Sequence, residues 1–275
     1  NLAPAVVIDV TAPPTPTVDL ATADDLGQSN IDNITSVATG LSFAGVLGES
    51  GLRLESRLDG ALFGTPTVST TNWALEVASR IADGEHTLEI KSYDLAGNTA
   101  AVAGTLTFVV DSAAPTIASI SSTSATGSYR ATAIIPISLT FSESVYPGGT
   151  SPQVQLTLNS NRPLAAAPAA GSSIITYSYV IGATDVNTPD LTVTAVALTG
   201  TSPTLRDLAG NTAVLALPTG QNLGDGRDLR VDTVTPSVPG APNLLASSDS
   251  GISNIDNLTR IIRPTFDASV AGVGA

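Results

Sequence analysis

A seven-residue motif that occurs twice divides this chain into repeated units. The sequence Asp-Leu-Ala-Gly-Asn-Thr-Ala spans residues 94–100 and recurs 113 positions later at 207–213. Each copy is followed by an apolar segment that ends in Asp and leads to a proline, at 108–115 and 229–236, and a third segment of this type stands at 6–13. Self-similarity at a fixed period is typical of arrays of stacked modules.

These repeats predict the module boundaries. Residues 1–11 are predicted to be the last strand of a preceding module, 12–113 a complete module, 114–234 a second module of variant sequence, and 235–275 the start of a further, incomplete module. Because proline ends strand pairing and stiffens the chain, the linkers should be short and semi-rigid.

Apolar and polar residues alternate along most of the chain, which is typical of half-buried antiparallel strands. In residues 86–94, Leu88 and Ile90 share one face while Glu89 and Lys91 share the other. The same alternation is found at residues 133–141, 153–159 and 175–180. Turn residues every 8–12 positions predict an all-β fold of tandem immunoglobulin-like β-sandwich domains in an elongated rod. A jelly roll or a barrel is the alternative.

The composition limits the partners of this chain. Its net charge of -13 disfavours nucleic acid and anionic membrane surfaces. It has no cysteine, so disulfides, thiolate zinc sites and cysteine nucleophiles are excluded. No apolar run reaches the roughly 18–20 residues of a membrane span. High Thr, Ser, Gly and Pro with few Lys and Glu is typical of a β-rich extracellular repeat protein.

The segment Asp-Leu-Gly-Gln-Ser-Asn-Ile-Asp-Asn-Ile-Thr at 25–35 is unusually rich in oxygen-bearing side chains. It recurs at 249–259 with eight of eleven positions identical. Ca²⁺ requires six to eight oxygen ligands that converge from a tight turn, and six side chains of the first copy supply such oxygens: Asp25, Ser29, Asn30, Asp32, Asn33 and Thr35. The alternative is an Asx-turn with no ion, which uses the same residue types. We expect each copy to lie at the entrance of its module.

The Asp-Leu-Ala-Gly-Asn motif is a second candidate site. Asp94 and Asn98, like Asp207 and Asn211, flank a glycine turn, and each motif precedes a last strand that ends in Asp111 or Asp232. Alternate strand ends of a sandwich share one pole, so a cation held there would tie two modules together. A hairpin turn without an ion is the alternative.

Enzymatic chemistry finds little support in the sequence, and we predict that the chain is not an enzyme. The only histidine, His86, is expected on the surface, and there is no serine-hydrolase, zinc-protease or phosphate-loop motif. Glu143 and the pair Asp185 and Asp190 are acids with no partner that completes a mechanism. Asn33 and Asn257 stand in glycosylation sequons, a further alternative for these segments.

The segments at 6–13, 84–100, 108–117 and 249–259 together closely resemble the bacterial immunoglobulin-like extender repeats of giant secreted adhesins. These include the RTX-type, type I-secreted biofilm and ice-binding adhesins. The resemblance implies an extracellular, structural extender segment at a bacterial cell surface, with neighbouring repeats as partners and structural Ca²⁺ at the junctions between modules. The alternative is a subunit of a self-assembling filament or surface layer in which copies exchange strands.

The resemblance also implies a set of cation-binding positions, here given with the two asparagines of the glycine turns: Asp9, Asp25, Asn30, Asp32, Asp94, Asn98, Asp111, Asp207, Asn211, Asp232, Asp249, Asn254 and Asp256. The second module departs from this pattern, since no carboxylate follows Pro115 for the next 27 residues, up to Glu143. The junction near residue 113 is therefore expected to bind a cation more weakly than the other junctions.

Overall fold

A computed structural model describes residues 6–267, and its regular elements are nearly all β-strands. The exception is α1, a single helical turn at Leu223–Gly226. The prediction of an all-β fold is confirmed. Within residues 6–267 no helix has the length and hydrophobicity needed to cross a membrane.

Nine strands between residues 19 and 110 form two sheets. They are β1 Asp19–Leu20, β2 Ile34–Thr35, β3 Leu41–Val46, β4 Arg53–Leu58, β5 Ala61–Leu62, β6 Thr67–Ser69, β7 Asn72–Val77, β8 Gly84–Tyr93 and β9 Gly104–Val110. One sheet has the order β1-β3-β7-β6 and the other β2-β9-β8-β4-β5. Their pairings are antiparallel except that of β2 with β9, where Ile34 lies opposite Val109 and Thr35 opposite Val110.

Alternate side chains of both sheets fill one core, as the period-two pattern predicts. Leu88 and Ile90 are fully buried, and the rings of Phe43 and Phe108 meet edge to face with centroids 5.0 Å apart. Trp73 is also buried, and its indole nitrogen donates to the Thr17 carbonyl oxygen at 3.0 Å. The tryptophan therefore has a structural role.

The second group of strands forms a separate core from residues 117–231. The strands are β10 Ile117–Ser122, β11 Gly127–Tyr129, β12 Ile134–Leu158, β13 Pro163–Ala166, β14 Ser172–Val180, β15 Val193–Arg206 and β16 Leu229–Val231. The first half of β12 pairs with β10 and β14, and its second half pairs with β13 and β15. Strand β11 runs parallel to β16, as β2 does to β9.

Beyond Asp232 the chain forms one small antiparallel pair, β17 (Asn243–Leu244) with β18 (Phe266–Asp267). Residues 268–275 of the predicted further module lie outside the described residues. At the other end, residues 6–11 of the predicted preceding strand have no strand pairing, and residues 1–5 lie outside the described range. The module boundaries themselves stay predictions.

His86 lies in β8, and its side chain is only 12% exposed, so the expectation of a surface histidine is wrong. Its Nδ1 is 2.8 Å from the Asp59 carboxylate, and its Nε2 is 2.9 Å from the Ala82 carbonyl oxygen. Both partners accept hydrogen bonds, so only the protonated imidazolium can donate to both. Its ring centroid is 5.6 Å from that of Phe108.

This pair makes the stability of the first module depend on pH. Burial lowers the pKa of His86, but the hydrogen bonds to Asp59 and Ala82 outweigh burial and leave the pKa raised. A raised pKa contributes stability that is present below the unfolded value of about 6.5 and is lost as pH rises through the folded value. The hydrogen bond from His86 also lowers the pKa of Asp59, so the pair is charged on both sides in mildly acidic solution.

We expect His86→Gln to reduce the free energy of unfolding, and with it the melting temperature, most near pH 5.5 and least near pH 8.5. The loss of free energy should be about 1 kcal/mol or less, because Asp59 is half exposed. Thermal unfolding followed by circular dichroism at both pH values measures this. Asp59→Asn should reproduce the effect. A difference between wild type and His86→Gln that does not change with pH contradicts the assignment.

Candidate cation site at the junction between modules

The two Asp-Leu-Ala-Gly-Asn motifs fold into the same ring. In the second copy the Asn211 backbone N–H donates to one oxygen of Asp207 at 2.8 Å, and the Asn211 side-chain amide donates to the other at 2.7 Å. Asn98 and Asp94 repeat both contacts at 2.8 and 2.7 Å. These hydrogen bonds lower the pKa of Asp94, with the Asn98 side chain as the largest cause. The turn geometry expected from the sequence is thus present in both copies.

Each ring holds the end of the preceding strand segment. The Asn211 side chain also donates to the Asp111 carbonyl oxygen at 2.7 Å, and the Asn98 side chain donates to that of Asp9 at 3.1 Å. The motif therefore marks the entrance pole of its module, where the previous segment arrives. We call residues 94–98 and 207–211 the entrance loops.

The oxygen-rich segment at 25–33 lies at the opposite pole of the first module from the one expected. It runs directly into β2, which pairs in parallel with β9, so the segment stands beside the end of the last strand. The Asp111 N–H donates to the Thr35 carbonyl oxygen at 2.9 Å. The prediction that this segment opens its module is wrong. We call residues 25–33 and their copy 249–257 the exit loops.

The first exit loop contacts the second module directly. The backbone N–H of Gln28 donates to the carbonyl oxygen of Leu208 at 3.0 Å. Asp111, the exit loop and the entrance loop 207–211 thus come together at one junction. The expectation of a weak junction near residue 113 depended on the reversed placement, and that reasoning is overturned: the exit loop of the first module faces this junction.

Three carboxylates from the two modules converge here. Asp111 directly follows β9 of the first module, while Glu143 in β12 and Asp207 in the entrance loop belong to the second. One oxygen of each lies within 4.8 Å of the others. Two oxygens on one Ca²⁺ are at most about 5 Å apart, because each Ca–O distance is about 2.3–2.6 Å. The spacing therefore fits a shared ion. It is the one such group of acids within residues 6–267.

The electrostatics of this group favour a counterion. Two charges 4.8 Å apart repel by about 3 kcal/mol at an effective dielectric constant near 20. Burial raises the pKa of Glu143, and the charges of Asp111 and Asp207 raise it further. Asp207 is only 1% exposed, so water does little to screen the repulsion.

Glu143 was missed as a ligand because no motif surrounds it. Strand pairing brings it to the junction: the Ser142 N–H donates to the Thr116 carbonyl oxygen at 2.8 Å, just after the linker. The alternation in the sequence predicts a strand before Glu143, but it does not show that this strand pairs with the segment just after the linker.

Asp25 is a second feature that points to a cation. Its side chain is 3% exposed, and its Oδ2 accepts the Asn33 N–H at 3.1 Å. Its Oδ1 is buried and has no hydrogen-bond partner, and the same holds for Oδ1 of Asn33. Burial raises the pKa of Asp25, and the neighbouring Asp32 carboxyl adds to the rise. An unpaired buried carboxylate is unfavourable unless a cation or a proton is present.

The second exit loop repeats this arrangement. Asp249 is 5% exposed, its Oδ2 accepts the Asn257 N–H at 3.1 Å, and its Oδ1 is again unpartnered. Asp32 and Asp256 each accept the N–H two residues further on, at 3.2 and 3.0 Å. Asn30 and Asn254 are exposed, and their role as ligands stays a prediction.

The remaining predicted ligands, Asp9 and Asp232, lie outside the converging group of three acids. Asp9 is exposed, and its Oδ1 accepts the Thr11 N–H at 2.9 Å. Asp232 is also exposed, and its Oδ1 accepts the Val234 N–H at 3.0 Å. Its own N–H donates to the Tyr129 carbonyl oxygen at 3.0 Å, so β11 occupies the place of β2 in the second module. The segment before β11 has no carboxylate.

Of the acids considered for catalysis, Asp185 has structural partners, whereas Oδ1 of Asp190 is buried without a hydrogen-bond partner and burial raises the pKa of Asp190. Asp185 accepts the Tyr179 hydroxyl at 2.8 Å and the Gly182 N–H at 2.9 Å, in the buried interior of the second module. Burial raises the pKa of Tyr179 to about 12, so its hydroxyl is a stable donor to Asp185.

Comparison with known proteins agrees with the fold of the first module. Residues 11–112 match the family model of the bacterial Ig-like domain. No curated protein matches the chain. This family is a structural one and is not typically enzymatic.

Two solved structures are similar over part of their length. One is a tetra-tandem repeat in the extending region of a large adhesion protein, with 16% identity over 86% of this chain and a TM-score of 0.32. The other is SGBP-B of the Bacteroides ovatus mixed-linkage glucan utilization locus in complex with a mixed-linkage heptasaccharide, with 14% identity over 84% and a TM-score of 0.22. This chain spans 53% of either. The TM-scores are low, so neither likeness carries an argument about function.

Asp25→Asn tests the role of the buried carboxylate, because the shift in melting temperature that it causes should have opposite signs in chelator and in Ca²⁺. In chelator the substitution removes an unpaired buried charge, so the melting temperature should rise or stay unchanged. In millimolar Ca²⁺ it should fall below that of the wild type, because the ion loses a ligand. Differential scanning calorimetry in both conditions measures this. A melting temperature that shifts equally with and without Ca²⁺ contradicts the assignment.

Proposed function

We propose that this chain is a structural extender segment of a large bacterial cell-surface or secreted adhesin, in which Ca²⁺ stiffens the junction between modules. The observation that carries the proposal is the convergence of Asp111 from one module with Glu143 and Asp207 from the next. The bacterial Ig-like match of residues 11–112 supports a structural and extracellular role.

The donor set fits Ca²⁺ better than other biological cations. Its atoms are carboxylate oxygens, with no thiolate in the chain and the only histidine engaged elsewhere. Hard oxygen ligands suit Ca²⁺, which tolerates irregular geometry, whereas Mg²⁺ demands a near-ideal octahedron. Asp111, Glu143 and Asp207 would hold the shared ion, and Asp25 with Asp32 and the Asn33 side-chain oxygen would hold another in the exit loop.

Binding across the junction would limit bending by mass action. The ligands of the shared ion are together only when the modules are aligned, so the ion stabilises the aligned state over bent ones. A ligand present at 100 times its dissociation constant contributes about 2.7 kcal/mol to the state that binds it. The modules would thus form a stiffer rod in Ca²⁺ than without it.

The stiffness should differ between junctions. The exit pole of the second module lacks the oxygen-rich loop, and Asp232 is engaged by Val234 and, at 3.4 Å, by the Asn187 side chain. The junction that follows Asp232 is therefore proposed to bind a cation more weakly than the junction at Asp111. The junction proposed to bind a cation weakly is therefore the one after Asp232 and not the one near residue 113.

Strand exchange between copies is the alternative function. One observation favours it: Val6, Val7, Ile8 and Val10 are each more than four-fifths exposed, and they belong to a segment of last-strand sequence. Exchange predicts that association grows with protein concentration and is independent of Ca²⁺. Sedimentation velocity in chelator tests it, and a monomer at all concentrations removes this alternative.

We expect Ca²⁺ to narrow the distribution of distances between the first two modules. Spin labels at Leu62→Cys and Ile174→Cys report on it by pulsed electron resonance, since both side chains are exposed and the chain has no other cysteine. The distribution should be broad in chelator and narrow in Ca²⁺. An unchanged distribution contradicts a cation-stiffened junction.

Asp207→Asn should abolish the narrowing by Ca²⁺ in the same doubly labelled chain, because it removes a carboxylate shared between the modules. Asp228→Asn is the matched control, since Asp228 is an exposed aspartate of the same module and lies outside the converging group. Equal narrowing in both variants contradicts the assignment of Asp207.

A further inference from the structure

Two glycines at the junction between the modules meet backbone carbonyls of the opposite loop. A Cβ added at Gly27 would lie 2.6 Å from the Leu208 carbonyl oxygen, and a Cβ added at Gly210 would lie 2.5 Å from that of Leu26. Carbon and oxygen do not approach so closely in proteins, so neither position accepts a side chain while the loops are docked. The contacts are reciprocal, since each loop offers a glycine to a carbonyl of the other.

The severe clash of a Cβ at Gly27 would be with the neighbouring module, whereas its contacts within its own segment would be tight but possible. The other close neighbours of a Cβ at Gly27 would be the Ile34 carbonyl oxygen at 3.2 Å and an Asp32 oxygen at 3.5 Å. Its φ is not in the left-handed region that favours glycine. The contact with Leu208 is therefore what excludes a side chain.

The second exit loop keeps the glycine without a visible reason. At Gly251 a Cβ would meet its own loop at the equivalent places, the Asp256 and Leu258 oxygens, both at 3.4 Å, which is ordinary van der Waals contact. Its φ is likewise not left-handed. The two loops therefore match in their internal contacts and differ in the neighbour, which is present at Gly27 and absent at Gly251 among the described residues.

The first entrance loop, 94–98, is more exposed than the second, which contacts an exit loop. Leu95 is 94% exposed, whereas its equivalent Leu208 is 38% exposed where it meets the exit loop. No atom lies within 4 Å of a Cβ at Gly97, whereas Gly210 meets Leu26. The ring hydrogen bonds are the same in both copies, so the free loop already has the docked conformation.

We infer that the exit loop 249–257 is a docking surface for the entrance loop of another immunoglobulin-like module, of the Asp-Leu-Ala-Gly-Asn type. The carbonyl equivalent to that of Leu208 packs on Gly251, and the N–H of Ile252, equivalent to Gln28, donates to it. The inference rests on the proposed stacking of modules but not on the cation, because its contacts are a hydrogen bond and a steric fit.

A second copy of this chain supplies the probe, since its entrance loop 94–98 is free. In the double variant Leu95→Cys and Ile252→Cys, docking between copies brings the two cysteines together, and a short bismaleimide should trap dimers and longer ladders on a denaturing gel. Leu62→Cys with Ile252→Cys is the control, because Leu62 is exposed on β5 and away from the entrance loop. Trapping no faster than in the control overturns the inference.

Gly251→Ala in the double variant tests the steric fit. We expect trapping to slow by about tenfold, since overpacking of this kind has an effect of that order. Gly226→Ala is the matched control: no atom lies within 4 Å of a Cβ there, and trapping should be unchanged. The melting temperature of Gly251→Ala should equal that of its parent, which separates docking from folding. If Gly251→Ala traps as fast as its parent, the inference is wrong.

Trapping of the double cysteine variant, with and without Gly251→Ala, is measured in Ca²⁺ and in chelator, so that the docking surface is tested separately from the cation. A slower reaction for Gly251→Ala in both conditions supports the docking surface. If Ca²⁺ changes no rate while Gly251→Ala still slows trapping, the docking surface stands without any contribution from a cation. If Gly251→Ala has no effect in either condition, the docking surface fails. The cation proposal is tested separately, by the distance measurement with Asp207→Asn, because the trapped contact contains none of Asp111, Glu143 and Asp207.

Discussion

The Asn211 side-chain amide joins the two modules, because its two N–H groups serve different ones. One donates to the Asp207 carboxylate within the entrance loop, and the other to the Asp111 carbonyl oxygen at the end of the first module. An amide with both donors engaged fixes the direction of the arriving strand as well as its position. The Asp111 side chain is thereby placed beside Asp207, and the charge repulsion at the junction follows from that placement.

The arrangement of the loops depends on the parallel pairing of β2 with β9. This pairing brings the exit loop to the pole where the last strand ends, so both features of one module face the entrance loop of the next. Glycines 27 and 210 let the loops approach closely enough for the backbone hydrogen bond between Gln28 and Leu208. Steric fit sets the alignment of the modules, and a cation would strengthen it.

Much of this architecture was predictable from the sequence, because local patterns determine it. Alternation gave the buried faces of β8 and β12, and repetition identified the entrance loop and the oxygen-rich loop as recurring units. The pole at which the oxygen-rich loop lies was not predictable, since it depends on the pairing of β2 with a strand more than 70 residues away in sequence. Glu143 was missed for a related reason: strand pairing, and no motif, brings it to the junction.

We propose that Asp111 and Asp207 share one cation across the junction, with Glu143 as a further ligand. A crystal structure from Ca²⁺-containing solution, with anomalous scattering data, would locate this ion. We predict an anomalous peak about 2.3–2.6 Å from carboxylate oxygens of Asp111 and Asp207. Full density for the three side chains with no peak between them would contradict the claim.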